Sequence, residues 1–387
     1  MTKIPFVGLH AHSGLSLNDG LGYPQDHMDF AYENDGDALA LTDHGHMNGL
    51  PYQVLHARKM KASGKKFKPI FGVEAYFNPS LEQWREEKAK QEKKKGIKNE
   101  IELSIEDERA SKQKVVDILK KRNHLILIAQ NQTGLNNIFK LVSESYKDEN
   151  FYRYPRIDYK LLDLYGDGII ASSACLGGIY AGDYWDYRDV SSAAVLNAMR
   201  QTTERMKNIF GDRWYGELQW NNIPEQHELN QHIVQVCKEY DVKLISTADS
   251  HYPNPDAWKD RELYKRIGWL GKGGLPEYMS AELPSGVEEI GYELYPKNGE
   301  QMWESYHTYS KQVGFDYDDD LVLDSIKRTE YIAHDLIEDF MPDNEVRLPS
   351  FVIPAGKTDI QALTQDCLEG LKEKDLDNKQ EYVDRLK

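Results

Sequence analysis

Short apolar runs, separated by polar and helix-periodic stretches, set the rhythm of the first 255 residues. The runs are Phe6–Leu9, Ala38–Leu41, Pro69–Val73, Leu125–Ala129, Gly168–Ala171, Trp214–Leu218 and Lys243–Ser246. Several are continuous rather than alternating, the pattern of parallel strands covered on both faces. Between them the spacing predicts helices over Gln25–Asn34, Leu50–Ala62, Leu135–Tyr146 and Glu228–Tyr240. The last follows Pro224 and sets Leu229, Ile233, Val236 and Cys237 at helical intervals. So many strands alternating with helices predict an α/β fold, a βα-barrel of about seven strands rather than an open sheet.

One stretch breaks the rhythm. Leu81 to Arg122 is densely charged with both signs mixed and reads as a solvated helical insertion; Lys93–Lys95 within it offer an alternative nucleic-acid contact. From Ala257 the character turns to helices, including Gln301–Lys311 and Asp320–Ile337, with Gly271–Gly274 and Asp316–Asp320 as loop material. Leu348-Pro-Ser-Phe-Val-Ile-Pro-Ala-Gly predicts an extended connector, because a residue before proline is pushed out of the helical region. A boundary is expected near residue 256, dividing a domain over 1–256 from a mainly helical one over 257–387.

Charge narrows the function. With 48 Lys and Arg against 64 Asp and Glu, the net charge is −16. That argues against a domain gripping nucleic acid through a broadly basic surface, but leaves room for phosphate chemistry through bound cations. No apolar run nears the roughly 20 residues of a membrane span, and the opening Met-Thr-Lys-Ile-Pro-Phe lacks the apolar core of a secretory signal. The three cysteines are too scattered for a disulfide framework. A soluble, cytoplasmic protein is expected.

Candidate chemistry gathers at the ends of the apolar runs. His10-Ala-His12 on an extended segment puts both imidazoles on one face, a perch for zinc, manganese or iron. Asp19, in Ser-Leu-Asn-Asp-Gly, reads by itself as a turn residue before glycine. Ala38–Leu41 leads into Asp43-His44-Gly, and Pro69–Val73 ends in Glu74, a carboxylate that would be costly to bury without a cation. Cys175 follows the fifth run, where a small buried residue is the plainer reading. Asp249 and His251 follow the seventh, two apart and able to share a face. His124 precedes its run and so sits at the wrong end for the strand-end rule; spacing gives it no role. This many mixed donors exceeds what one zinc needs and points to two or three ions, the equipment of a metal-dependent phosphoesterase.

The same residues resemble a known family. Phe6-Val-Gly-Leu-His-Ala-His-Ser, Leu41-Thr-Asp-His-Gly-His-Met-Asn-Gly, Lys68-Pro-Ile-Phe-Gly-Val-Glu-Ala-Tyr, Ser172-Ser-Ala-Cys-Leu-Gly-Gly and Ala248-Asp-Ser-His-Tyr resemble, in order, the polymerase-and-histidinol-phosphatase (PHP) domain. More narrowly they resemble its form in the N-terminal part of C-family replicative DNA polymerases, of the DNA polymerase III alpha type. The resemblance implies a distorted seven-stranded βα-barrel holding a trinuclear site of divalent ions (Zn, Mn or Fe). Its ligands would be His10, His12, Asp19, His44, Glu74, His124, Cys175, Asp249 and His251. Asp19 and Cys175 stand where stand-alone histidinol-phosphate phosphatases carry histidine, which favours the polymerase branch.

A C-family polymerase also needs paired aspartates in a palm, and no Asp-x-Asp follows an apolar strand here. The expectation is therefore an N-terminal module, acting as a 3′–5′ exonuclease on single-stranded DNA ends, with His12, Asp19 and Asp249 at the reaction. The palm and fingers would lie elsewhere, in cis in a longer protein or in trans, in a bacterial or phage-infected cell. Two alternatives are a metal-stabilised docking platform for the polymerase core or an exonuclease subunit, and a small-molecule phosphatase.

Overall fold

The computed structural model describes residues 3–97, 119–271, 274, 283, 285–343, 345, 348 and 350–386. Half of the charged insertion and parts of the Gly271–Gly274 and Leu348–Gly356 stretches lie outside them; within the insertion, Leu81–Ile97 is helical. The chain forms two compact units, 1–342 and 343–387. The helices Trp258–Leu270, Gly299–Val313 and Asp319–Tyr331, which follow the expected boundary near residue 256, lie in the first unit. The second carries the helices Asp359–Glu373 and Gln380–Leu386.

The strands are β1 (Ala38–Leu41), β2 (Lys68–Phe77), β3 (Asn123–Ala129), β4 (Phe151–Tyr152), β5 (Tyr154–Pro155), β6 (Ile169–Ser172), β7 (Trp214–Gln219) and β8 (Lys243–Thr247). Six of them form one curled sheet in the order β1-β2-β3-β6-β7-β8; β4 and β5 make a small hairpin. Six ladder strands, not seven, are therefore present among the described residues. The first apolar run lies extended without joining the ladder. Instead Gly8 bridges Leu39 at one edge of the sheet, and Ala11 bridges Ser250 just beyond the other. The Ala40 and Thr42 amides donate to the Gly8 and Ala11 carbonyls, and the Ser250 amide to that of His10.

The all-parallel expectation also changes. β3 runs antiparallel to both neighbours, β2 and β6, with Glu74 opposite Ile126 and Tyr76 opposite His124. Continuous apolar runs report burial on both faces, not strand direction, so the sequence pattern could not show the reversal. Its consequence is direct: the N-terminal end of β3 lies at the same mouth as the C-terminal ends of β1, β2, β7 and β8.

Alternation along the strands separates two apolar layers. Val7, Leu9, Ala38, Ala40, Ile70, Ile126, Ile128, Ile170 and Ile245 form the inner cluster, whereas Leu125, Leu127, Phe71 and Val73 meet the surrounding helices. The inner cluster is closed at the end away from the mouth by Ile332, Ala333 and Ile337, in and after a π-helical turn over Ile332–Leu336. Lys68 Nζ and Gln130 Nε2 donate to the carbonyls of Ile337 and Leu336, 2.6 and 3.0 Å away, and fix this plug to the bottoms of β2 and β3. The preceding helix is pinned by Thr329 Oγ1, which accepts from the Val7 amide at 3.0 Å, and by a Ser246–Ser325 hydroxyl pair at 2.7 Å.

Ile326 on that helix is fully buried in the outer layer. Ile326→Ala should destabilise the protein by ~2–5 kcal/mol, read from urea unfolding. A loss under about 0.5 kcal/mol would show that this helix is an appendage and not part of the core.

Candidate metal centre

Each donor reaches the mouth by its own local route. His10 and His12 share a face of the extended segment that bridges the sheet edges, and their Nε2 atoms lie 3.0 Å apart. Asp19 sits on a turn that returns sharply on residue 13; a Cβ at Gly20 would lie 2.1 Å from the Ser13 carbonyl oxygen, so the turn requires glycine. His44 and Glu74 follow β1 and lie within β2, joined by a parallel bridge between them. His124 arrives because β3 is reversed. Cys175 and Asp249 depend on strained backbone: Ala174 and Asp249 take φ of 59° and 49°, conformations that cost about 1–3 kcal/mol and concentrate at working sites.

Glu74, 1% exposed, is the hub. Its Oε2 lies 2.7 Å from His44 Nδ1 and 3.2 Å from His12 Nε2, and its Oε1 lies 3.0 Å from His124 Nδ1 and 3.5 Å from His10 Nε2. Cys175 Sγ lies 3.6 Å from His124 Nδ1 and 4.0 Å from Glu74 Oε1. Asp249 Oδ1 approaches His10 Nε2 at 3.0 Å and His12 Nε2 at 3.4 Å. Asp19 Oδ2 lies 3.1 Å from His44 Nε2 and 3.4 Å from His251 Nε2. The structure thus brings together every residue that the resemblance nominated.

Seven of the nine donors, all but Asp19 and Cys175, fall into trios whose ligand atoms all lie within 4.8 Å of one another: His10, His12 and Asp249; His12, His44 and His251; His44, Glu74 and His124. His12 and His44 each belong to two of these trios, so the trios form one connected cluster. A further group, Asp37, Glu330 and His334, lies apart near the plug and is partly exposed.

The cluster's hydrogen bonding fits metal ions. His44 Nδ1, Glu74 Oε2 and Asp249 Oδ1 are buried and make no directed hydrogen bond despite crowding other polar atoms. Such atoms are costly to bury unless something unites them. His251 Nδ1 donates to the Asp249 carbonyl at 2.7 Å, a partner that can only accept, which leaves its Nε2 lone pair facing Asp19. His10 Nδ1 is likewise held, 2.7 Å from Glu217 Oε1, turning its Nε2 inward. Outer partners of this kind fix the tautomer of metal-binding histidines.

Electrostatics point the same way. Asp19, Glu74, Glu217 and Asp249 gather at this mouth, and the buried Arg261 meets the first of them, its Nη2 2.6 Å from Asp19 Oδ1. Burial would raise the Glu74 carboxyl, but His124, His44, His10 and His12 hold it well below the usual carboxylate range. Burial pulls His44 down, yet Glu74 and Asp19 outweigh it and push the imidazole up to about 10. Burial, with Asp249 and Glu74 nearby, raises the Cys175 thiol. Without cations, the cluster must therefore hold protons on groups that metal ions would otherwise occupy.

Two residues escaped the sequence reading. Glu217 lies mid-strand in β7, where it accepts from Ser172 Oγ at 2.6 Å and Thr247 Oγ1 at 2.5 Å besides meeting His10. A lone carboxylate inside the Trp214–Gln219 apolar run was its signal. Arg261 comes from the helix Trp258–Leu270, and nothing local marks it. Asp43, by contrast, is turned away from the cluster and accepts from the Ser13 amide and the Ser16 hydroxyl. His46 faces the Leu15 carbonyl, outside the cluster.

Comparison with known proteins follows this geometry. Residues 8–221 match the PHP domain family. The chain is similar to the DNA polymerase III subunit alpha of Aquifex aeolicus, 33% identical over 98% of the chain and 29% of that protein. It is similar to the same subunit of Campylobacter jejuni, 31% identical over 78% of the chain and 22% of the subunit, and of Thermus aquaticus, 28% identical over 96% and 26%. The chain spans less than a third of the length of these relatives.

Glu217→Gln would keep the shape of β7 but lose the charge that orients His10. It should weaken zinc or manganese binding about 10- to 100-fold in a chelator competition, with the circular dichroism spectrum unchanged. Undiminished affinity would show that Glu217 has no part in presenting His10 to a metal ion.

Proposed function

The chain belongs to the PHP domain family, and on that premise we propose that its first 256 residues form a metal-dependent phosphoesterase module that trims DNA from the 3′ end. The observation that carries this reading is the complete donor set around Glu74, with the Arg261 guanidinium clamping Asp19 at its edge. In the full-length protein, the palm and fingers would follow in cis, or be supplied in trans by another chain. The extended segment over residues 6–12 would close the sheet into a barrel. No helix among the described residues is long and apolar enough to cross a membrane, which fits a place in the bacterial cytoplasm.

His10, His12, Asp19, His44, Glu74, His124, Cys175, Asp249 and His251 would hold two or three divalent ions, zinc, manganese or iron. Bound ions of this kind supply Lewis acidity and a nucleophilic water at neutral pH. The chain's own part is preorganisation. Arg261 donates through Nη2 to Asp19 Oδ1 and through Nε to the Asp19 carbonyl at 2.8 Å, leaving Oδ2 aimed at His44 and His251. Glu217 fixes His10, and the Asp249 carbonyl fixes His251. Access is one-sided: the Asp19 and His124 side chains are 35% and 21% exposed, whereas those of His10 and His12 are sealed. A scissile phosphate would approach over Asp19 and His124, with His12 and Asp249 beneath it.

The test uses a 3′-labelled single-stranded oligonucleotide with manganese or zinc. Wild-type protein should release mononucleotides, and Asp19→Asn or Asp249→Asn should lose metal content and nuclease activity together while staying folded. Full metal content with unchanged degradation in either variant would refute the assignment. Release of inorganic phosphate from monoesters, without nucleotides, would favour the small-molecule phosphatase.

A further inference from the structure

We propose that a stacked aromatic and arginine surface beside the metal cluster is the track along which a single-stranded nucleic acid reaches it. The inference rests on the nuclease reading above. The track begins inside the cluster: the His44 and Tyr76 rings stack, 13° from parallel with centroids 5.8 Å apart. Tyr76 meets Tyr154 edge to face at 5.0 Å, and the Arg122 guanidinium lies over Tyr154 at 4.4 Å. From Tyr154 the β4–β5 hairpin carries the surface outward. Tyr152 is 45% exposed, with Arg153 and Lys88 over its ring at 5.6 and 5.7 Å. Exposed Phe151 stacks on exposed Tyr146 at its far end.

The hairpin is held rigid by a group the catalytic reading does not use. Arg156 is buried and pairs with no carboxylate among the described residues. Its Nη1 donates to the Tyr152 and Tyr154 carbonyls, both at 2.9 Å, and its Nε and Nη2 reach the carbonyls of Lys121 and Leu119 at 3.3 and 3.4 Å. Its guanidinium also lies 5.0 Å over Trp84. A buried cation spent on backbone carbonyls fixes the hairpin against the segment that carries Arg122. Arg153, at φ 61°, is held in a left-handed conformation that presents it beside Tyr152.

The exposed rings of Tyr152, Phe151 and Tyr146, with the half-buried Tyr76 and Tyr154 leading to the cluster and arginines between them, supply what sequence-tolerant single-strand binding requires: π-faces for bases and cations for phosphates. On a chain of net charge −16, neither Arg122 nor Arg153 pairs with a carboxylate among the described residues. A protein partner would find a narrow ladder of rings here, not a broad apolar face.

Fluorescence anisotropy with a labelled twelve-residue oligothymidylate, in EDTA to prevent cleavage, tests the track on the full chain. Wild-type protein should bind, more weakly as salt rises. Arg122→Ala with Arg153→Ala, and separately Tyr152→Ala, should bind at least tenfold more weakly. The arginine pair should also flatten the salt dependence, by about 0.7 in logarithmic slope per arginine removed. Metal-dependent hydrolysis of bis(4-nitrophenyl) phosphate, too small to use the track, should be unchanged in all of them. Oligonucleotide binding equal to wild type in these variants, or none by wild type, overturns the proposal. Binding that depends on the arginines in a protein hydrolysing neither substrate upholds the track and overturns the nuclease reading instead.

Discussion

A buried carboxylate surrounded by imidazoles governs this molecule. Glu74 sits buried in β2, within 3.5 Å of His10, His12, His44 and His124. With Asp19, Glu217 and Asp249 nearby, the mouth of the sheet concentrates more negative charge than Arg261 can offset. Proteins bury such charge only where it is paired, protonated or shared by metal ions. The inward tautomers set at His10 and His251, and the undirected crowding of His44, Glu74 and Asp249, fit the last of these.

The groups that aim the donors gather at one end of the fold, and an apolar plug closes the other. The mouth tolerates left-handed residues at Asn18, Ala174 and Asp249, whereas the opposite end is closed by the apolar plug Ile332, Ala333 and Ile337. The segment after residue 257 serves both ends: Arg261 clamps Asp19 at the mouth, and Ile332, Ala333 and Ile337 close the other.

Much of this was legible in the amino-acid sequence, for physical reasons. Apolar runs located the strands because both faces of the sheet are covered, and carboxylates, imidazoles and a thiol at run ends stood out against them. His124 defied that logic because run composition carries no direction; once β3 is seen to run antiparallel, its first residues belong at the mouth. Glu217 was legible as a buried charge but not as a partner, since only the fold brings β7 against His10. Arg261 was illegible, because its partner Asp19 lies far away in the chain and its helix is ordinary. The first run, Phe6–Leu9, reads as a strand, but the fold instead joins this segment to both sheet edges through single bridges at Gly8 and Ala11.

Anomalous diffraction from crystals soaked in manganese and then zinc tests the central claim most directly. Difference peaks should appear between the atoms of the trios around His12, His44 and Glu74, with Asp249 and Asp19 turned onto them. A map with no peak there, and with Glu74 still engaged only by protonated histidines, would contradict a metal centre at this mouth.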